Sequence, residues 1–154
     1  MVKILFICHG NICRSPMAEF FMRDYVKKKN RAAAYEIASA ATSSEEIGNL
    51  VHYGTRKELE KLGISTAGKR ARKLTEADGK YYDFLIAMDR FNVRDTERIV
   101  GANYAHKIFR LLDFTKEKRD VADPWYTGDF DATLKDVVSG CTALFEKLEN
   151  GELQ

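Results

Sequence analysis

The sequence predicts an α/β fold, a three-layer αβα sandwich around a four-stranded parallel sheet. Two observations carry this. Four short apolar strand candidates, Val2–Cys8, Tyr35–Ala40, Tyr82–Ala87 and Lys107–Leu111, alternate with helical patterns. Alternation of that kind, joined by right-handed crossovers, gives parallel strands covered by helices on both sides. In such sheets a ligand sits beyond the carboxyl ends of the strands, where the chain places Cys8, Ser39, Met88-Asp89 and the loop after Leu112.

The elements follow in order. Lys3-Ile4-Leu5-Phe6-Ile7 reads as a buried strand, and Ser15-Pro16 opens a helix that runs to Asn30, with Met17, Phe20, Phe21 and Tyr25 near one face. Ala41–Tyr53 is polar, then mixed, and is the candidate for a mobile loop. Thr55–Leu62 has the pattern of a capped helix, with Thr55 three residues before Glu58 and Gly63 just beyond the end. A short turn starts at Thr75, and a helix opens at Asp89 and extends towards Ile99. Lys116–Asp120 is a charged, solvated stretch. Asp131 to about Asn150 is the longest helix, with Leu134, Val137, Val138, Cys141, Leu144, Phe145 and Leu148 at core spacing; Cys141 is a core residue.

Bulk properties narrow the class. A length of 154 residues suits one buried core, a single domain over residues 1–154, with no linker, repeat or low-complexity tract. The net charge of +2 lacks the basic signature of a nucleic-acid binder and offers nothing to a membrane surface. No apolar run reaches spanning length, and the apolar start is too short for a signal peptide and has no cleavage site. Three cysteines are too few for a disulfide scaffold, so a reducing cytoplasm is the expected location.

Two segments carry chemistry. In Cys8-His9-Gly10-Asn11-Ile12-Cys13-Arg14-Ser15, a loop of five residues separates a thiol at a strand end from a guanidinium at a helix start. Such a loop can turn its amides around a tetrahedral oxyanion at the positive end of a helix dipole, with Gly10 taking a backbone conformation other residues resist. Arg14 can hold two phosphate oxygens, and the surrounding donors favour the nucleophilic thiolate. Ser15 can hydrogen-bond that thiolate as it leaves, and Asn11 can pin the loop. The plainer alternative is a buried structural cysteine beside a solvated arginine. The second segment is Val121-Ala122-Asp123-Pro124-Trp125-Tyr126. Pro124 holds Asp123 extended, so one carboxyl group can protonate a leaving oxygen and then deprotonate water. Trp125 and Tyr126 can wall a pocket for a flat aromatic group. Asp-Pro is also a common turn.

With both segments in view, the chain resembles low-molecular-weight protein tyrosine phosphatases over nearly its whole length. The resemblance implies a four-stranded parallel sheet and two-step hydrolysis of phosphotyrosine through a phosphocysteine, with no metal and no cofactor. It makes Cys8 the nucleophile, Arg14 the phosphate clamp and Asp123 the acid and base. His9, Gly10, Asn11, Ile12, Cys13 and Ser15 complete the phosphate-binding loop, and Ser39 and Asp89 support it. Ile12, Trp125 and Tyr126 line the pocket, and Cys8 and Cys13 form a reversible redox pair. The implied partners are a phosphotyrosine protein or peptide and phosphate-type oxyanions, in a monomer or weak homodimer.

Several positions depart from the family pattern. Gly68, in Thr66-Ala67-Gly68-Lys69, stands where members often have a histidine, so support for the loop serine has to come from elsewhere or be absent. The stretch after Ser39 is longer than in the eukaryotic-type members and lacks an aromatic pocket wall. His9 is expected to face outward at the mouth. His52 and His106 are surface or packing residues, and no carboxylate–histidine spacing suggests a metal site. Three other readings stay open. Protein arginine phosphatases tend to carry threonine at the position of Ile12, whose branch favours a phenolic ester. An arsenate reductase of this fold needs two further cysteines near the third strand, and Thr75–Asp95 has none. A non-catalytic phosphate-binding module would be marked by loss of Cys8, Arg14 or Asp123.

Overall fold

The computed structural model describes residues 1–153. Its centre is β1 (Val2–Cys8), in which Ile4, Leu5, Phe6 and Ile7 are entirely buried. Successive side chains of a strand point to opposite faces. Ile4, Phe6 and Cys8 therefore enter one apolar cluster, and Leu5 and Ile7 a second on the far side. A strand buried on both faces cannot alternate with polar residues, which is why this segment is a continuous apolar run.

Parallel partners flank β1, β2 (Tyr35–Ala41) on one side and β3 (Phe84–Ala87) on the other, with β4 (Ile108–Arg110) outermost, giving the order β2-β1-β3-β4. The chain leaves β1 towards one edge and later returns to its other side. The crevice at the carboxyl end of β1 is the switch point where such sheets bind ligands. The strands are shorter than expected at the third and fourth positions. Lys107 ends a 3-10 turn, and β3 starts late, at Phe84, after Asp83, whose carboxylate accepts the Lys3 amide at 2.9 Å.

The larger cluster lies under α1 (Arg14–Lys28), α2 (Tyr53–Glu60) and α6 (Phe130–Glu149), to which Met17, Met22, Leu59, Val137, Cys141 and Leu144 contribute fully buried side chains. A buried side chain of this size stabilises the fold by about 2 kcal/mol. The smaller cluster lies under α3 (Glu76–Tyr81) and α4 (Arg90–Val100), through Leu74, Tyr82 and Val100. The expected αβα layering is thus present.

Local chemistry sets the helix ends. Thr75 and Asp78 form a reciprocal capping box on α3, and Asp89 caps α4 by accepting the Asn92 amide at 2.8 Å. At α2 the expected cap is displaced. His52 caps the helix by accepting the Gly54 amide at 2.9 Å, whereas Thr55 lies inside and gives its hydroxyl to the Cys13 carbonyl at 2.9 Å. A buried hydroxyl needs a partner, and the start of α1 supplies one.

The stretch read as a mobile loop is tethered. Its backbone donates from Thr42, Ser43, Gly48 and His52 to Cys8, His9, Ala71 and Ile12. The charged stretch after β4 is solvated as expected, and it is laced by Arg110–Asp120 and Arg119–Asp136 pairs at 2.9 Å. No helix among the described residues is long and apolar enough to cross a membrane.

Candidate active site

The loop from Cys8 to Ser15 closes the carboxyl end of β1. Its carbonyls are bound on the outside: Cys8 and His9 accept from Thr42 and Ser43 at 3.0 Å, Ile12 from His52 at 2.8 Å, and Cys13 from Thr55. This turns the opposite, N–H edge of the loop inward, at the positive end of α1. The left-handed residue is not Gly10 but Asn11, with φ of 58°. Asparagine tolerates that region and stabilises it here with its side chain. Gly10 matters for space, since a Cβ there would lie 3.3 Å from Glu46 Cγ.

Asn11 is buried and holds three neighbours. Its Nδ2 donates to Ser15 Oγ at 2.8 Å and to Ser39 Oγ at 2.9 Å, and its Oδ1 accepts the Arg72 amide at 3.1 Å. Cys8 is almost fully buried, with Ser15 Oγ 3.0 Å from its sulfur and the Ser15 amide donating at 3.4 Å. Donors of this kind stabilise negative charge on sulfur. Cys13 sits in the same loop as a free thiol. Burial, and then the charge of Cys8 and Asp123, push its pKa up to about 12.

Arg14 is buried rather than solvated. Its Nη1 donates to Asp89 Oδ2 at 2.7 Å and to the Val121 carbonyl at 2.9 Å, and Nη2 reaches Asp123 Oδ2 at 3.4 Å. Burial alone pulls its pKa down, but Cys8, Asp123 and Asp89 together carry it above the ordinary arginine value. Asp123 is extended, as the following proline requires, and it also caps a short helix missed in the sequence, α5 (Pro124–Thr127), by accepting the Trp125 amide at 3.0 Å.

Cys8, Arg14 and Asp123 converge on one cavity of about 110 Å³. Ile12, Trp125 and Tyr126 line it, and so do Glu45 and Glu46, which carried no signal in the sequence. A cavity of this size holds a phosphoryl group and admits a flat ring at its mouth. His9 faces outward there, 3.0 Å from Glu45. His52 stacks on Phe130 and meets Trp125 edge-on, with centroids 5.0 Å and 5.7 Å apart.

Behind the loop, support for Ser39 comes from residues the sequence reading did not single out. Ser39 lies within β2 rather than after it, and donates to Glu19 Oε1 at 2.5 Å. Gly68 contributes only a left-handed turn, with φ of 87°. The next residue, Lys69, does the supporting: its ammonium donates to the Ser39 carbonyl at 3.0 Å and lies 3.4 Å from Glu19. Neither residue carries a sequence signal for this role, since only the fold buries Glu19.

Comparison with known proteins agrees with this architecture. The sequence pattern of the family described as low molecular weight phosphotyrosine protein phosphatase matches residues 3–153. The low molecular weight protein-tyrosine-phosphatase YfkJ of Bacillus subtilis is 38% identical over 151 residues, covering 97% of each chain. The crystal structure of YfkJ superposes with a TM-score of 0.95 over 98% of this chain and 96% of that one. A protein tyrosine phosphatase from Entamoeba histolytica, crystallised with Hepes in the active site, is 32% identical, with a TM-score of 0.92 over 99% of this chain and all of that one. The chain belongs to the low molecular weight phosphotyrosine protein phosphatase family.

Proposed function

We infer that the protein hydrolyses protein phosphotyrosine through its active-site cysteine, by a phosphocysteine intermediate and without metal. The observation that carries this is the convergence of Cys8 sulfur, the Arg14 guanidinium and the Asp123 carboxyl group on one cavity beneath two exposed aromatic residues.

The phosphoryl group binds the inward N–H groups of the loop and the fork of Arg14, which follows its oxygens as they become trigonal. Cys8 attacks phosphorus while the aryl oxygen leaves with the proton of Asp123. The resulting Asp123 carboxylate takes a proton from water. That water attacks the phosphocysteine, phosphate is released, and Ser15 stabilises the departing thiolate. Arg14 Nη2 lies 3.4 Å from Asp123, so the clamp and the acid and base face the same phosphoryl group. Ser39 and Asp89 act as supports, the latter by fixing the guanidinium. Cys13, held as a protonated thiol, is the resolving partner if Cys8 is oxidised. The single domain acts as a monomer or weak homodimer in the cytoplasm.

The test is hydrolysis of matched phosphotyrosine, phosphoserine and phosphoarginine peptides in the presence of a chelator. Preference for phosphotyrosine is the expected result. Preference for phosphoarginine would transfer the assignment to that substrate and remove the role given to Ile12.

A further inference from the structure

We propose that Arg90, Phe91 and Arg94, on the first turns of α4, form a docking surface for an acidic segment of the substrate protein beside its phosphotyrosine. The proposal rests on the phosphatase reading above and narrows the substrate class of that same site. α4 buries Asn92, Thr96 and Val100 and turns Arg90, Phe91, Arg94, Glu97 and Arg98 to solvent. Phe91 is 51% exposed, and the guanidinium groups of Arg90 and Arg94 lie over its ring, 5.2 Å and 5.3 Å from the centre.

An aromatic ring under a guanidinium restrains its plane and leaves its N–H edge open to a carboxylate. Among the described residues, the Arg90 side chain has no carboxylate partner, and Arg94 is paired only through Nε, with Asp95 at 3.2 Å. Arg98 shares that same aspartate at 3.3 Å. Three arginines therefore face Glu97 and a half-buried Asp95, an excess of positive charge. The chain satisfies other surface arginines differently: Arg110 and Arg119 are each met by two carboxylates. The donors left open at Arg90 and Arg94 match an acidic partner, to which arginine bonds with two parallel N–H groups.

The surface adjoins the catalytic mouth. Asp89, which caps α4, accepts from Arg14 at 2.7 Å, so Arg90 and Phe91 follow the phosphate clamp within about 7 Å of chain. The Arg90 amide donates to Asp120 Oδ1 at 3.0 Å, three positions before Asp123. An extended peptide advances about 3.3 Å per residue, so this surface meets positions two to four from the phosphotyrosine. Glu45 and Glu46 line the cavity from the segment between β2 and α2 and repel an acidic flank there. The acidic flank is thereby directed to α4, and the peptide enters in one orientation.

The experiment measures kcat/KM on phosphotyrosine peptides that carry aspartate, alanine or lysine at positions two to four from the phosphotyrosine, on one flank or the other. The wild type is expected to prefer aspartate over alanine about tenfold on one flank, through KM, and to disfavour lysine there. Arg90→Ala combined with Arg94→Ala brings the preference below about twofold, and Arg90→Glu combined with Arg94→Glu turns it towards lysine. Both double variants keep kcat on p-nitrophenyl phosphate within about twofold of the wild type, which reports an intact fold. Arg98→Ala, two turns further from the mouth, keeps the preference. Equal rates on the aspartate and alanine peptides overturn the proposal. So does a preference that survives the double alanine variant, or one that Arg98→Ala removes equally. Sedimentation of the wild type with phosphatidylserine vesicles through these arginines, with no choice among the peptides, assigns the surface to a membrane and overturns it too. A wild-type chain that hydrolyses none of the phosphotyrosine peptides overturns both this proposal and the phosphatase reading.

Discussion

The floor of the cavity and its rim are built on different principles. On the floor, Cys8, Asn11, Arg14, Ser15 and Ser39 are nearly inaccessible, and their polar atoms are held by several partners each. At the rim, Tyr126 is 84% exposed, Trp125 is 58% exposed, and His9 meets Glu45 in solvent. A polar network in a low dielectric is strong and intolerant of loss, whereas an exposed pair contributes at most about 1 kcal/mol. On the proposed mechanism the floor carries the reaction, and the rim meets the rest of the substrate.

The largest expected effect falls on the floor. Cys8→Ser should lower turnover by at least about ten-thousandfold while phosphate still binds by calorimetry, because the amides and Arg14 remain. Residual turnover near the wild-type rate would mean that the sulfur is not the nucleophile. Asp123→Ala comes next, and it stands between floor and rim. It should slow release of a poor phenolic leaving group about a hundredfold, and much less for p-nitrophenol, which departs without a proton. An equal loss across a leaving-group series would remove its acid role.

A third prediction concerns stability. Folding raises the pKa of Cys13 from 9.0 to about 12, and burial likewise raises those of Cys141, Tyr35 and Tyr82. Below pH 9 the Cys13 thiol is protonated in both states, and its contribution to stability is complete. Above pH 9 the unfolded chain ionises while the native one does not, so that contribution is lost up to about pH 12, at no more than about 1.4 kcal/mol per pH unit. Urea denaturation across this window should show the loss, and Cys13→Ala should make it shallower while the other three groups retain theirs. The smallest effect belongs to the rim. Glu45→Gln should change kcat on p-nitrophenyl phosphate by less than about threefold and act mainly on KM for charged peptides. A larger drop in kcat would show that floor and rim are not separate.

How much of this was legible follows the same division. The layering could be read because β1 is apolar throughout and the last helix repeats its apolar residues at helical spacing. Cys8, Arg14 and Asp123 could be read because proline, strand end and helix start constrain each of them locally. The Lys69–Glu19 support could not, since a lysine in a polar turn and a glutamate in a helix look like solvated residues until the fold buries them together. Gly10 was read for its freedom when Asn11 makes the turn, because a side chain that stabilises its own strained backbone leaves no mark in composition. The short helix after Asp123 spans only four residues, too few for any periodic signal.

The guanidinium of Arg14 is oriented by Asp89 and by the carbonyl of Val121, the latter 107 positions further along the chain. The loop from Cys8 to Arg14 is therefore no transferable cassette: moved to another scaffold, it would bring the arginine without the groups that aim it. During synthesis the same bond delays competence. A nascent chain has Cys8 from the start of translation, but Arg14 is fully aimed only once the last third has emerged and docked, so on the mechanism proposed above an incomplete chain carries the motif without the activity.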